Sequence, residues 1–113
     1  MPSTTRFLPG DIDLVSFPFG GSSQAKVRPA MVMLDTGDDD VVVARITTQQ
    51  AHRTPHDVAI GEWQPAGLLA PSVVRLHKLA TLEKKLIQRT LGRLQPVDRA
   101  SVSAVLRQVF GQW

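Results

Sequence analysis

The sequence contains no cysteine. A disulfide framework and thiolate metal sites are thereby excluded, and a reduced, cytoplasmic setting is the simplest expectation. Apolar runs are short: none approaches the ~20 residues a membrane helix needs. Met1 to Pro9 lacks the apolar core of a signal peptide. The phosphate-cradling patterns GxxxxGK(S/T) and GxGxxG are missing, as is a Gly-x-Ser-x-Gly nucleophile elbow. His52 and His56 lie in a polar stretch with Pro55 between them, which argues against a helical ligand pair. The run Asp38-Asp39-Asp40 reads as a solvated turn. Neither a metal nor a cofactor is expected.

What remains is a chain of 113 residues, 42% hydrophobic and 20% charged, which suits one globular domain over residues 1–113. The net charge of +3 hides a gradient. Residues 1–74 hold five Lys/Arg against eight Asp/Glu, and residues 75–113 hold eight against two, giving −3 and +6. A basic half can attract polyanions such as RNA, although on charge alone solvated helix and strand faces are the plainer account.

The patterning is mostly that of strands. Residues 10–19 (GDIDLVSFPF) roughly alternate polar and apolar side chains. Residues 20–26 (GGSSQAK) have the composition of a mobile loop. Residues 28–34 (RPAMVML) are apolar on both faces, as in a central strand. The turn at 35–40 predicts a hairpin to 41–47, and 57–60 makes a short strand. Residues 61–70 combine turn signals with Trp63 and have room for one helical turn. Residues 72–79 and 86–94 read as two further strands. Pro96 opens a helix over 96–110, with Val102, Val105, Leu106, Val109 and Phe110 as one apolar stripe and Gly111 as its stop. Residues 1–9 are expected to be a flexible N-terminus. The fold class is therefore mainly β with a C-terminal helix.

Several short signatures occur in a fixed order. GDIDLVSFPF is followed by a glycine-serine loop ending in Gln24, then by Val27-Arg28-Pro29-Ala30 and Arg45-Ile46-Thr47-Thr48-Gln49. Pro71-Ser72-Val73-Val74-Arg75, Thr81-Leu82 and Gly92-Arg93-Leu94 precede the last helix. From Gly10 nearly to its end the chain resembles the MazF/PemK-like toxins of type II toxin–antitoxin systems. The resemblance implies a small SH3-like β-barrel, a homodimer and an antitoxin protein as partner. It also implies metal-independent cleavage of single-stranded RNA, including mRNA, by 2′-hydroxyl attack.

The resemblance puts a catalytic arginine at Arg28 and a hydroxyl contact to the scissile phosphate at Thr47. A planar guanidinium suits phosphate, and Pro29 biases Arg28 toward an extended backbone. Without the resemblance, Arg28 reads as one half of a salt bridge at a strand start and Thr47 as an ordinary strand threonine. In a strand, Arg45 and Thr47 share one face. Period two also joins Arg75 to His77, where PemK-like relatives carry a functional arginine and aspartate. Here the second position is His77, which exchanges protons near neutrality or is simply a surface residue. Ser22, Gln24, Lys26, Arg45, Thr48, Gln49 and Lys78 complete the expected RNA contacts. Ser23, where many relatives carry an acid, and Val27, where some carry histidine, are further departures. Trp63 and Trp113 are expected in core or interface packing. Met31, Met33 and Leu34 give one strand more apolar positions than a single face buries, consistent with a dimer. Two other readings stay open: a gyrase-poisoning toxin of the CcdB type, and an inactive RNA- or protein-binding relative.

Overall fold

The computed structural model describes residues 6–18, 25–51, 53–111 and 113. Strands β1 (Asp11–Pro18), β2 (Ala25–Asp35), β3 (Asp40–Thr47), β4 (Asp57–Ile60), β5 (Ser72–Glu83) and β6 (Ile87–Arg93) precede one helix, α1 (Pro96–Phe110). They form one antiparallel sheet in the order β4-β5-β3-β2-β1-β6. The sheet is barrel-like but open, with β4 and β6 at its edges. The segment leaving β4 reaches across to β6. There the backbones of Ala66 and Gly92 approach so closely that a Cβ on Gly92 would lie 2.3 Å from the Ala66 carbonyl oxygen, which explains the glycine. Among the described residues no helix is long and apolar enough to cross a membrane.

β2 has the two apolar faces expected of a central strand. Met31 joins Ile12, Ala44, Ile46, Leu76 and the helix residue Val102 in one core. Ala30 and Val32 join Val15, Phe17, Val41 and Val43 in a second. At the end of β2, Asp35 accepts hydrogen bonds from Phe7 N–H (2.9 Å) and Gly37 N–H (2.8 Å). It also pairs with Lys84 Nζ at 2.8 Å, both side chains being buried. The Lys84 bond first, then the two N–H groups, hold the Asp35 carboxyl well below the usual carboxylate range.

Pro96 occupies the first turn of α1, and Gly111, at φ +67°, ends it. The buried Asp98 carboxylate accepts Gly61 N–H at 3.0 Å and Glu62 N–H at 2.8 Å, fastening the helix to the turn after β4. Replacing Asp98 with Ala strands two N–H groups. Asp98→Ala should lower stability by roughly 2 kcal/mol, read as a lower urea midpoint; an unchanged midpoint would remove Asp98 as a fastener.

Several expectations change. Lys26 belongs to β2, opposite Phe17, because the β1–β2 ladder runs out to Pro18 and Ala25. Residues 20–24, with Ser22, Ser23 and Gln24, lie outside the described residues, as does His52. Of the expected flexible terminus, residues 1–5 lie outside too, while Phe7 is bonded to Asp35 and Leu8 N–H to Asp11. Residues 61–67 form turns with a single i to i+4 bond, from Ala66 N–H to the Glu62 carbonyl, and no helix. The helix stripe is shorter than its pattern: Val102, Val105 and Leu106 pack on the core, but Phe110 is exposed. Trp63 packs on the core, whereas Trp113 is fully exposed.

Candidate active site

The site begins where β2 and β3 part. Proline has no N–H to give a ladder, and the β2–β3 pairing stops one residue after Pro29, at Ala30 and Arg45. Beyond that point Arg28 and Pro29 on one strand face Ile46 and Thr47 on the other across a groove. On one side of Arg28 and Thr47 the groove is lined by Lys26, Arg45, Arg75 and Lys78, over Phe17. On the other side it continues past Thr48, Gln49 and Ser72. Five cationic side chains thus converge, and among the described residues no acidic side chain lines the groove.

Each cation is held differently. Arg28 is exposed, and its Nη1 donates to the Val27 carbonyl at 3.2 Å. No carboxylate among the described residues pairs with it, so the salt-bridge reading does not apply. The Arg45 guanidinium lies over the Phe17 ring, 5.3 Å from its centroid, in a cation–π contact. Arg75, opposite Arg45 in the β3–β5 ladder, pairs through Nε with Asp57 at 3.3 Å. The Thr47 hydroxyl accepts Gln49 N–H at 3.1 Å, which leaves its own proton to donate.

His77 does not line the groove beside Arg75. Opposite it the ladder jumps from Arg45–Arg75 to Ala44–Leu79, so β5 bulges over residues 76–78. Yet Arg75 and His77 flank the buried Leu76 on one side, as period two expects, and both approach the same Asp57 oxygen. The bulge brings Lys78 to the groove wall. The His77 ring instead lies 5.0 Å from that of His56, with Nδ1 3.9 Å from an Asp57 oxygen. Burial and then the Arg75 charge push the His77 pKa below its ordinary value, against the attraction of Asp57. For Asp57, burial pushes upward, but the Thr54 N–H and the Arg75 charge outweigh it and keep the carboxyl below its ordinary value.

Sequence reasoning missed Phe17, Ser72 and Asp57. Phe17 reads from its alternation as core, and it is buried; its service to Arg45 depends on a neighbour two strands away. Nothing in the sequence marks Asp57 as buried against Arg75.

No curated protein sequence matches the chain. Solved structures do. An endoribonuclease from Mycobacterial species in complex with its cognate antitoxin is 23% identical, with a TM-score of 0.73 over 96% of this chain and 99% of that one. The Mycobacterium tuberculosis toxin MazF-mt6 is 21% identical, with a TM-score of 0.72 over 91% and 99%. At such identities the likeness establishes the fold. Residues 8–110 match the family of PemK-like, MazF-like toxins of type II toxin–antitoxin systems, and with that match spanning nearly the whole chain, the protein belongs to this family.

Proposed function

We propose that this toxin is a metal-independent endoribonuclease that cuts single-stranded RNA, mRNA included, and so stops translation and growth. The observation that carries the reading is the convergence of Arg28 and Thr47 with four further cations in a groove that no acidic side chain lines among the described residues. That lining fits the phosphate backbone of a polyanion. The endoribonuclease identity of a structural neighbour supports it.

RNA supplies its own nucleophile. The 2′-oxygen attacks the adjacent phosphorus and loses its proton to a base, the bond to the 5′-oxygen breaks, and that oxygen gains a proton. The products are a 2′,3′-cyclic phosphate and a 5′-hydroxyl. The protein has to hold the strand in line and stabilise the extra charge on the phosphorane. Arg28 supplies charge, because a guanidinium is too weak an acid to be the proton donor at neutral pH. The Thr47 hydroxyl donates to a phosphate oxygen, and Arg45, Arg75, Lys26 and Lys78 hold the flanking strand. The protein works as a homodimer in the cytoplasm. Its antitoxin, like that of the neighbour solved as a complex, occupies the groove in place of RNA.

Long RNA incubated with the purified toxin should be cut in EDTA and leave 5′-ends that a polynucleotide kinase labels without phosphatase treatment. Loss of cutting in EDTA, restored by magnesium but not by monovalent salt, would overturn the mechanism. No cutting of any RNA would overturn the enzymatic reading.

His77, which stands behind the groove wall against the same Asp57 oxygen as the groove residue Arg75, is the proposed proton-transfer group. With its pKa lowered it is neutral at pH 7 and able to take a proton. Single-turnover cleavage should then fall on the acid side with a midpoint below about 6.5, and His77→Ala should remove that limb. An unchanged profile would make His77 a packing residue against Asp57.

A further inference from the structure

Asp57 is an expensive residue to place where it is. Its side chain is 2% exposed, at the start of a four-residue edge strand. A buried carboxylate is tolerated only when hydrogen-bonded or paired. It accepts Thr54 N–H at 2.7 Å, and it faces Arg75, its own cross-strand partner, at 3.3 Å. The contact is made through Nε, the inner edge of the guanidinium. Both terminal NH2 groups are thereby left for the groove that Arg75 lines.

Arg75 also stands directly opposite Arg45, and like charges facing each other across a ladder repel. Arg45 rests on Phe17, while Arg75 has the Asp57 charge behind it. A long side chain held at Nε loses less freedom when its outer edge meets a phosphate. We propose that Asp57 is a positioning residue: it clamps Arg75 by Nε beside Arg45, so that the outer edge of the guanidinium is presented to an RNA phosphate. This rests on the endoribonuclease reading for its substrate.

The test compares wild type, Asp57→Asn, Arg75→Ala and the double variant by single-turnover cleavage and by NMR of the arginine Nε–Hε groups. The NMR probe is a fully 2′-O-methylated single-stranded RNA of mixed sequence, which lacks the nucleophile. In the free wild type the Arg75 Nε–Hε proton should exchange slowly, and its signal should shift on adding the probe. Asp57→Asn keeps an acceptor for Thr54 but loses the charge. It should speed that exchange and lower the cleavage rate on the order of 10-fold. In the Arg75→Ala background it should change the rate by less than ~2-fold, because the two residues act as one.

Equal loss in both backgrounds would overturn the proposal and assign the effect of Asp57 to the Thr54 cap or to His77, whose Nδ1 lies 3.9 Å from the same oxygen. So would an Arg75 signal indifferent to Asp57→Asn or to the probe. A wild type that cuts no RNA, yet whose Arg75 signal shifts with the probe and depends on Asp57, overturns the nuclease reading and leaves the positioning role standing.

Discussion

Arg28→Ala should lower single-turnover cleavage on the order of 10²- to 10³-fold, the scale of losing one preorganised charge donor. The side chain is exposed, carries no ion pair among the described residues, and sits where the two parts of the groove meet. Its removal should therefore leave the fold nearly untouched, within about 0.5 kcal/mol. Arg28→Lys should recover part of the rate, since lysine keeps the charge but not the planar fork. Thr47→Ala should lose less, because a neutral hydroxyl bond is weaker than a charged one. Measured rates on one RNA, with melting temperatures alongside, decide the matter. Near-wild-type cleavage by a well-folded Arg28→Ala protein that still binds RNA would move the reacting phosphate elsewhere.

Asp13→Asn should make the protein more stable at pH 7.5, by about 1–2 kcal/mol. Asp13 is fully buried on β1, and neither carboxylate oxygen has a formed hydrogen bond among the described residues. Burial pushes its pKa up to about 6; Thr90, its neighbour on β6, tempers the rise, and Asp11 adds to it. A carboxyl whose pKa is higher in the folded state favours folding when protonated. Its contribution is complete below the unfolded value of 3.8 and is lost as pH rises through about 6. The full swing is roughly 3 kcal/mol, of which Asn should recover only part because its amide is also left unpaired. His77 acts in the opposite direction, its lowered pKa removing stability as pH falls below 6.5, but it is partly exposed and screened. The difference between wild type and variant isolates Asp13. It should be largest at pH 7.5 and close by pH 4. A difference independent of pH would show that Asp13 has a partner that pairs with its ionised form.

Legibility from sequence follows the range of the interaction. The strand 57–60 and the helix 96–110 are written in local periodicity and capping, and both stand where they were expected. Arg28, Arg45 and Thr47 were legible through short signatures next to the turning points of strands. The charge gradient misleads. Lys26, Arg28 and Arg45, three of the five groove cations, come from the acidic stretch 1–74. In the basic stretch, Lys84 is taken up by Asp35 and Arg93 by Asp11. The bulge at 76–78, beside which Lys78 lines the groove, was illegible because it belongs to the register between β3 and β5 and not to the local pattern. Asp57 was illegible for the same reason: its importance lies in a cross-strand neighbour.

The two apolar faces of β2 carry a cost in pairing fidelity. A strand with one polar face resists sliding past its neighbours by a residue, because the slide would turn apolar groups into water. β2 has little such protection, since Met31 and the pair Ala30 and Val32 are all buried. Its alignment is left to differences in side-chain size, to Pro29, and to the buried Asp35–Lys84 clamp at its far end. A slide of one residue would carry Arg28 to the opposite face of the sheet, away from Thr47. The clamp takes no part in the groove lining, yet it keeps the strand from delivering its arginine to the wrong side.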